Sequence, residues 1–221
     1  MILAAVGMKR EARLVMRPGV RAVAGGGRAD LLERRLIQAL DGAEAILSIG
    51  IGGGLDPALK VGDVVIGVEV LGPGGPWPAD PAWRDRLAAR LPQARLGAIQ
   101  GSDEMVLHAS DKAALHAGSG ALLADMESHV AARIAAQRGL PFAALRVVSD
   151  AAATTLPWAV RHGLTPDGGM NLPGVLGALV CAPWQLPGLI RAGRDADLAF
   201  AALGRAADGA LGESTFRTYR H

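Results

Sequence analysis

The sequence predicts an α/β protein built on a mostly parallel central sheet with helices on both faces. Short apolar runs of strand length alternate with segments of helical periodicity from one end of the chain to the other, the order that parallel sheets require. Several of the runs, such as Ala45–Ile49 and Phe142–Val148, are mostly apolar, as strands buried on both faces are. The run Phe142–Val148 also delivers Ser149 and Asp150 at its carboxyl end, where ligands sit in open α/β sheets.

Each element follows from its local pattern. Ile2–Val6 and Val20–Ala24 read as strands, and Ala29–Leu40 as an amphipathic helix. Ala45–Ile49 is a buried strand, followed by a glycine turn over Gly50–Gly54; Asp56-Pro57 then starts a helical turn, since proline suits the first helical position. Val64–Leu71 is a strand after the Gly62-Asp63 turn, Gly72–Pro81 a loop, and Trp83–Leu91 a helix. Leu96–Gln100 and Leu122–Ala124 are strands. Asp125 is a natural helix cap, and Met126, Val130 and Ile134 mark the helix after it, which Gly139 and Pro141 stop. After Phe142–Val148 the chain is helical, including Leu189–Ala210. With 221 residues, no long linker and no internal repeat, it is expected to form one domain over 1–221, with an apolar helical region at 168–210.

Composition narrows the function. Basic and acidic residues nearly balance, 23 against 21, for a net charge of +2. The basic residues are mostly Arg and form no run interleaved with aromatics, so the pI of 9.1 does not mark a nucleic-acid binder. The single cysteine, Cys181, excludes an internal disulfide and a multi-cysteine metal site, and reads as a buried thiol. His108, His116, His129, His162 and His221 lack metal-ligand spacing, and His129 reads as a helix-surface residue. No metal or organic cofactor is expected. The first residues are apolar and then charged, the reverse of a signal peptide, which points to a cytoplasmic location.

Gly168–Ile190 carries no charge and approaches the length of a bilayer span. Pro173, Pro183 and Pro187 interrupt it, while Leu172, Val175, Leu176, Leu179 and Val180 share one helical face. A core-packed helix is the expected outcome; the sharper alternative is an apolar lip meeting a lipid or a membrane surface.

Chemistry-bearing residues come in four places. Gly25-Gly26-Gly27 before a helix, with Arg28, offers backbone N–H groups and a cation to an anion such as phosphate, or is a plain strand-to-helix turn. The Gly50–Gly54 turn, including Gly52 and Gly53, would let a ligand approach the main chain. Glu11 alone reads as a solvated helix residue. Glu127, in the first turn of its helix, suits the helix dipole, and shares a potential crevice with Asp150.

Together these residues resemble a known family. Ser48–Val65 (SIGIGGGLDPALKVGDVV) is similar to the glycine segment of the purine nucleoside phosphorylase and methylthioadenosine/S-adenosylhomocysteine nucleosidase superfamily. Asp125-Met126-Glu127 resembles its ribose-binding motif, and Ser149-Asp150 its purine-binding Ser-Asp. Gly7–Glu11 resembles the nucleosidases' first strand end, and Gly101–Val106 their base-pocket segment. The resemblance covers most of residues 1–150. It implies a three-layer αβα sandwich, the phosphorylase/hydrolase-like fold, around a twisted, partly barrel-like mixed sheet. It also implies a homodimer or higher homo-oligomer and cleavage of an adenine nucleoside.

The implied roles follow residue by residue. Asp150 protonates or hydrogen-bonds N7 of the departing purine, beside Ser149. Glu127 grips the ribose hydroxyls and Met126 packs on the sugar. The Val106 main chain meets the purine edge, and Met105 packs on its face where the nucleosidases carry an aromatic. Glu11 activates water, while Gly26, Gly27 and Arg28 keep phosphate open as the nucleophile. An acid at the base and an anchored sugar suit an oxocarbenium-like transition state. Beyond Asp150 the chain departs from ordinary nucleosidases. Pro157–Ala196 resembles the hopanoid-associated phosphorylases, which implies adenosylhopane, a lipid-linked adenine nucleoside, as substrate; the alternatives are a methylthioadenosine/S-adenosylhomocysteine nucleosidase and a non-catalytic nucleoside- or lipid-binding protein. Peripheral contact with the inner membrane surface through 168–190 would follow.

Overall fold

The computed structural model describes residues 1–163, 165, 167–169 and 171–212; the side chains of His162 and Leu172, and His221 altogether, lie outside that description. In chain order the elements are β1 (Ile2–Val6), α1 (Lys9–Val15), β2 (Val20–Ala24), α2 (Ala29–Ala39), β3 (Ala45–Gly54), β4 (Val64–Leu71) and β5 (Trp77–Pro78). They continue with α3 (Pro81–Arg90), β6 (Arg95–Gly101), α4 (Ala109–Ser119), β7 (Leu123–Asp125), α5 (Ser128–Arg138), β8 (Phe142–Asp150), α6 (Leu172–Cys181) and α7 (Leu186–Ala210). A short 3-10 helix covers Trp158–His162.

The sheet is mixed and closes on itself. β3 pairs parallel with β8 and antiparallel with β7. β4 pairs antiparallel with β8 and parallel with β6, and β6 pairs parallel with β7. These five strands return to their start, so the sheet is in part a barrel, and β1 and β2 extend from β3 in parallel. Closure requires β3 to serve three ladders. Its first half pairs with β1 and its last two residues with β7, while β8 runs along its whole length.

Alternation along the strands sends side chains into two cores. Ile2, Ala4 and Val6 face α1, α3 and α7 through Val15, Trp83, Leu87, Phe200 and Leu203. Leu3 and Ala5 face α2 and α5 through Leu32, Leu36, Val130 and Ile134. The result is three layers, helices on each side of the sheet.

Three local expectations are corrected. Gly50–Gly54 is not a turn but the second half of β3; the glycines stand in a strand because neighbouring side chains fill the space a Cβ would take. Asp56-Pro57 does begin the expected single turn, closed by Leu59 N donating to Asp56 O at 3.1 Å, with Asp56 Oδ1 accepting from Ala58 N at 2.8 Å. The apolar stretch at 168–190 is not core-packed: Leu176 is 62% exposed and Val180 83% exposed. α6 packs mainly against the 3-10 helix at Trp158–His162 rather than against the sheet, and only Ala178 of its described side chains is buried. Cys181, at its end, is exposed rather than buried.

Candidate active site

The site begins at the carboxyl ends of β1, β3, β7 and β8. Glu11 is the third residue of α1 and turns back onto the helix start. Its Oε2 accepts from Gly7 N at 2.7 Å and Met8 N at 2.8 Å, and its Oε1 from Ile51 N at 2.8 Å. Three backbone donors that would otherwise be unpaired at a helix start and strand end are satisfied by one carboxylate. Glu11 is therefore buried, and its expected solvated position is corrected.

Arg146 is the organising cation. It stands in the middle of β8, fully buried. Its Nε lies 2.5 Å from Asp125 Oδ2, its Nη2 donates to Ser48 Oγ at 2.6 Å, and its Nη1 faces Glu127 Oε2 at 3.4 Å. Asp125 ends β7 and its Oδ1 accepts from Glu127 N at 3.3 Å and Ser128 N at 3.0 Å, while Ser128 Oγ donates to Oδ2. Asp125 thus caps the chain as expected but also supplies the main charge for Arg146. Glu127 is the N-cap residue of α5, one position before the first turn, and Met126 precedes the helix.

Gly7 and Gly50 let these groups converge. A Cβ on Gly7 would lie 2.8 Å from Glu127 Oε1 and 3.3 Å from Glu11 Oε2. A Cβ on Gly50 would lie 2.4 Å from Arg146 Nη1 and 2.5 Å from Glu11 Oε1. Glu11, Glu127, Asp125 and Arg146 therefore form one buried cluster. Charges at such separations interact strongly when water is excluded.

Their protonation follows from burial and neighbours. Burial pushes Glu127 from its ordinary 4.5 up to about 8, with Arg146 opposing and the Asp125 and Glu11 charges reinforcing the rise. Burial also raises Glu11, against Arg146 and the three backbone N–H groups. For Arg146 burial works against the charge, but Asp125, Glu127 and Glu11 outweigh it and hold the guanidinium above its usual value. Near neutral pH the cluster thus keeps a proton on Glu127.

Asp150 lies at the other end of the glycine strand. Register slips between Gly52 and Gly53, so that Gly52 pairs with Val148 and Gly53 with Asp150. Ser149 is the extra residue, and the bulge re-aims the strand end, as bulges beside sites do. Ser149 Oγ lies 2.6 Å from Asp150 Oδ1 and 3.0 Å from Gly52 O. Asp150 Oδ2 pairs with the ammonium of Lys112, a fully buried residue of α4. Ile51, bonded to Glu11, and Gly53, facing Asp150, are two strand positions apart, roughly 7 Å of backbone. Gly52 serves the fold: a Cβ there would meet Ala124 O at 2.7 Å and Leu123.

An open cleft of about 340 Å³ adjoins the cluster, lined by Gly26, Gly27, Arg28, Glu104, Met105, Met126 and Arg161. Met126 links the two, since Asp125 and Glu127 flank it. A second cleft of about 470 Å³ contains Met105 and Val106 and is also lined by Arg161. The anion turn is partly spent. Gly26 and Gly27 have φ of 66° and 69°, the Gly26 N–H donates to Gly7 O at 2.8 Å, and Arg28 donates to both oxygens of Asp30, at 3.1 and 2.8 Å. His129 is buried, not on the surface, with Nε2 3.0 Å from Asp103 Oδ1.

Arg146 and Lys112 escaped the sequence reading. The signal for Arg146 was an ionisable residue inside an otherwise apolar strand, which must be paired when buried. Lys112 carried almost no signal, standing among polar residues of a short helix. No group of His, Cys, Asp or Glu among the described residues has metal-binding geometry.

The sequence model of the phosphorylase superfamily matches residues 5–163, which contain every residue of this cluster. The chain belongs to the phosphorylase superfamily. Membership places it among enzymes, and the partly barrel-like αβα fold agrees with solved structures. The 5'-methylthioadenosine/S-adenosylhomocysteine nucleosidase of Neisseria meningitidis, in complex with methylthio-immucillin-A, matches with a TM-score of 0.70 at 16% identity, over 95% of this chain and 97% of that one. The corresponding Helicobacter pylori nucleosidase gives 0.68 at 14% identity, over 97% of each chain. Futalosine hydrolase of H. pylori gives 0.68 at 14% identity, over 96% and 97%. At these identities the likeness is one of fold. No curated protein sequence matched the chain significantly.

Proposed function

We propose that this superfamily member hydrolyses the N-glycosidic bond of an adenine nucleoside, and that its substrate is adenosylhopane. The observation that carries the hydrolytic reading is the charge balance of the buried cluster. With Glu127 holding its proton, Glu11 as the ionised base and Asp125 still outnumber the single guanidinium of Arg146. Such a site repels a phosphate dianion and accepts neutral water. The anion turn adds little, because Arg28 is held by Asp30.

The reaction then divides among named groups. Water attacks C1′ and gives a proton to Glu11, whose raised basicity suits a general base. The C1′–N9 bond breaks, and N7 of adenine takes from Asp150 a proton that Asp150 first gains from solvent. Glu127, protonated near neutral pH, can donate to one ribose hydroxyl and accept from its neighbour. Met126 packs on the sugar, and Met105 and the Val106 backbone receive the base.

The lipid tail is supported by the resemblance of Pro157–Ala196 and by the surface beside it. Leu176, Val180, Trp184, Leu186 and Ile190 are exposed on α6, α7 and the turn between them. Among the described residues no single helix is long and apolar enough to cross a membrane; α6 and α7 meet at 117°. We read this pair as peripheral at the inner membrane surface, carried by a homo-oligomer. A second reading, hydrolysis of small thioadenosines, draws on the nucleosidase fold. The test is adenine release, followed by chromatography, from adenosylhopane and methylthioadenosine. Preference for adenosylhopane is expected. Preference for methylthioadenosine would select the second reading, and release from neither would reject both.

A further inference from the structure

We propose that Lys112 is a positioning residue for the leaving-group acid, tying the base-binding segment to Asp150 and stabilising the carboxylate that proton donation creates. The inference rests on the role proposed for Asp150. Lys112 projects from α4 and its side chain is entirely buried. Its ammonium donates to Asp150 Oδ2, to Thr154 O at 2.8 Å and to Ala151 O at 3.2 Å. All three N–H groups are used, on Asp150 at the end of β8 and on the residues just after it.

This contact does not stand alone. Leu156 N donates to Leu107 O at 2.9 Å, and Ala109 N to Thr155 Oγ1 at 3.1 Å. The stretch after Asp150 is therefore stitched to the stretch after Met105 and Val106, with Lys112 at the centre. The segment that receives the purine and the acid that serves it are thereby tied together.

A buried lysine is expensive, and an apolar side chain of equal length would fill the same space at lower cost. Lys112 sits on the carboxylate assigned to the departing base. As N7 draws its proton, negative charge grows on Asp150, and an ammonium already in contact stabilises that charge more than it stabilises the neutral acid. An interaction that strengthens on the way to the transition state raises turnover rather than binding. Lys112 acts through Asp150 and touches no substrate atom.

The test compares two leaving groups in the full-length protein. Lys112→Met, Lys112→Arg and Asp150→Asn are assayed on the adenine nucleoside and on 4-nitrophenyl riboside, whose phenolate departs without a proton. Lys112→Met is expected to lower kcat on the nucleoside about 10²-fold, within the range of general acid catalysis. KM should stay nearly constant, turnover of the aryl riboside should be spared, and Asp150→Asn should behave alike. Lys112→Arg should recover part of the loss. Equal loss on both substrates, or no loss on either, overturns the proposal. If the wild type does not accept the aryl riboside, lowered kcat at constant KM in a variant with a normal melting temperature supports it, and raised KM with constant kcat overturns it. A wild type that cleaves neither compound defeats the nucleosidase reading itself, and this inference with it.

Discussion

Glu127 holds its proton because burial disfavours its charged form, and the Asp125 and Glu11 charges add to that rise against the pull of Arg146. The sign of the consequence is fixed. Its folded value, about 8, is above its ordinary 4.5, so the folded state binds more protons than the unfolded state between those values. Glu127 therefore makes stability fall as pH rises through that window. Glu127→Gln should flatten the melting temperature against pH between about 4.5 and 8, measured by scanning calorimetry; an unchanged slope would refute this assignment. The same scale shows what was legible in the sequence. Glu127 and Asp150 were readable because they stand at a helix start and a strand end. Glu11 was not readable as buried without the resemblance, because its three partners come from two different segments.

At the scale of elements, β3 carries the site. One strand bonds Glu11 at Ile51, receives Arg146 against Gly50, and faces Asp150 at Gly53. The glycine run reads as a turn in the sequence because glycine is disfavoured in strands. Here the missing side chains are replaced by Arg146, Glu11 and Leu123 from neighbouring segments, and such long-range filling leaves no local pattern. Gly50→Ala should force Arg146 and Glu11 apart, since its Cβ would stand 2.4 and 2.5 Å from their charged atoms. We expect a loss of about 1–3 kcal/mol in denaturant unfolding, typical of overpacking, with a large fall in kcat. Wild-type stability and turnover in this variant would mean that the cluster is not closely assembled. The helix α4 was likewise unforeseen, since its inward residue is a lysine rather than an apolar one.

At the scale of the molecule, residues 1–150 hold the sheet and the cluster, while the chain beyond adds the apolar pair α6 and α7. The α/β class and nearly every strand of the sheet were legible because apolar runs alternate so regularly. The antiparallel pairings of β4 with β8 and β3 with β7 were not, because closure depends on strand bending rather than on composition. The exposed face also reversed expectation: a hydrophobic stripe predicts burial, but nothing in its own sequence says against what. Replacing Leu176, Val180 and Trp184 with serine should leave turnover of a soluble adenine nucleoside near wild type. Activity on a lipid-linked one, and flotation with anionic vesicles, should fall at least tenfold. Equal effects on both substrates would remove the lipid role.

The central claim is that water attacks the anomeric carbon of an adenine nucleoside held over the Glu11–Arg146–Glu127 cluster. The most direct measurement is mass analysis of the sugar product after turnover in ¹⁸O-labelled water with inorganic phosphate present. The account predicts free adenine and a free sugar that carries the label at C1′. A sugar 1-phosphate without label would contradict it and make the enzyme a phosphorylase.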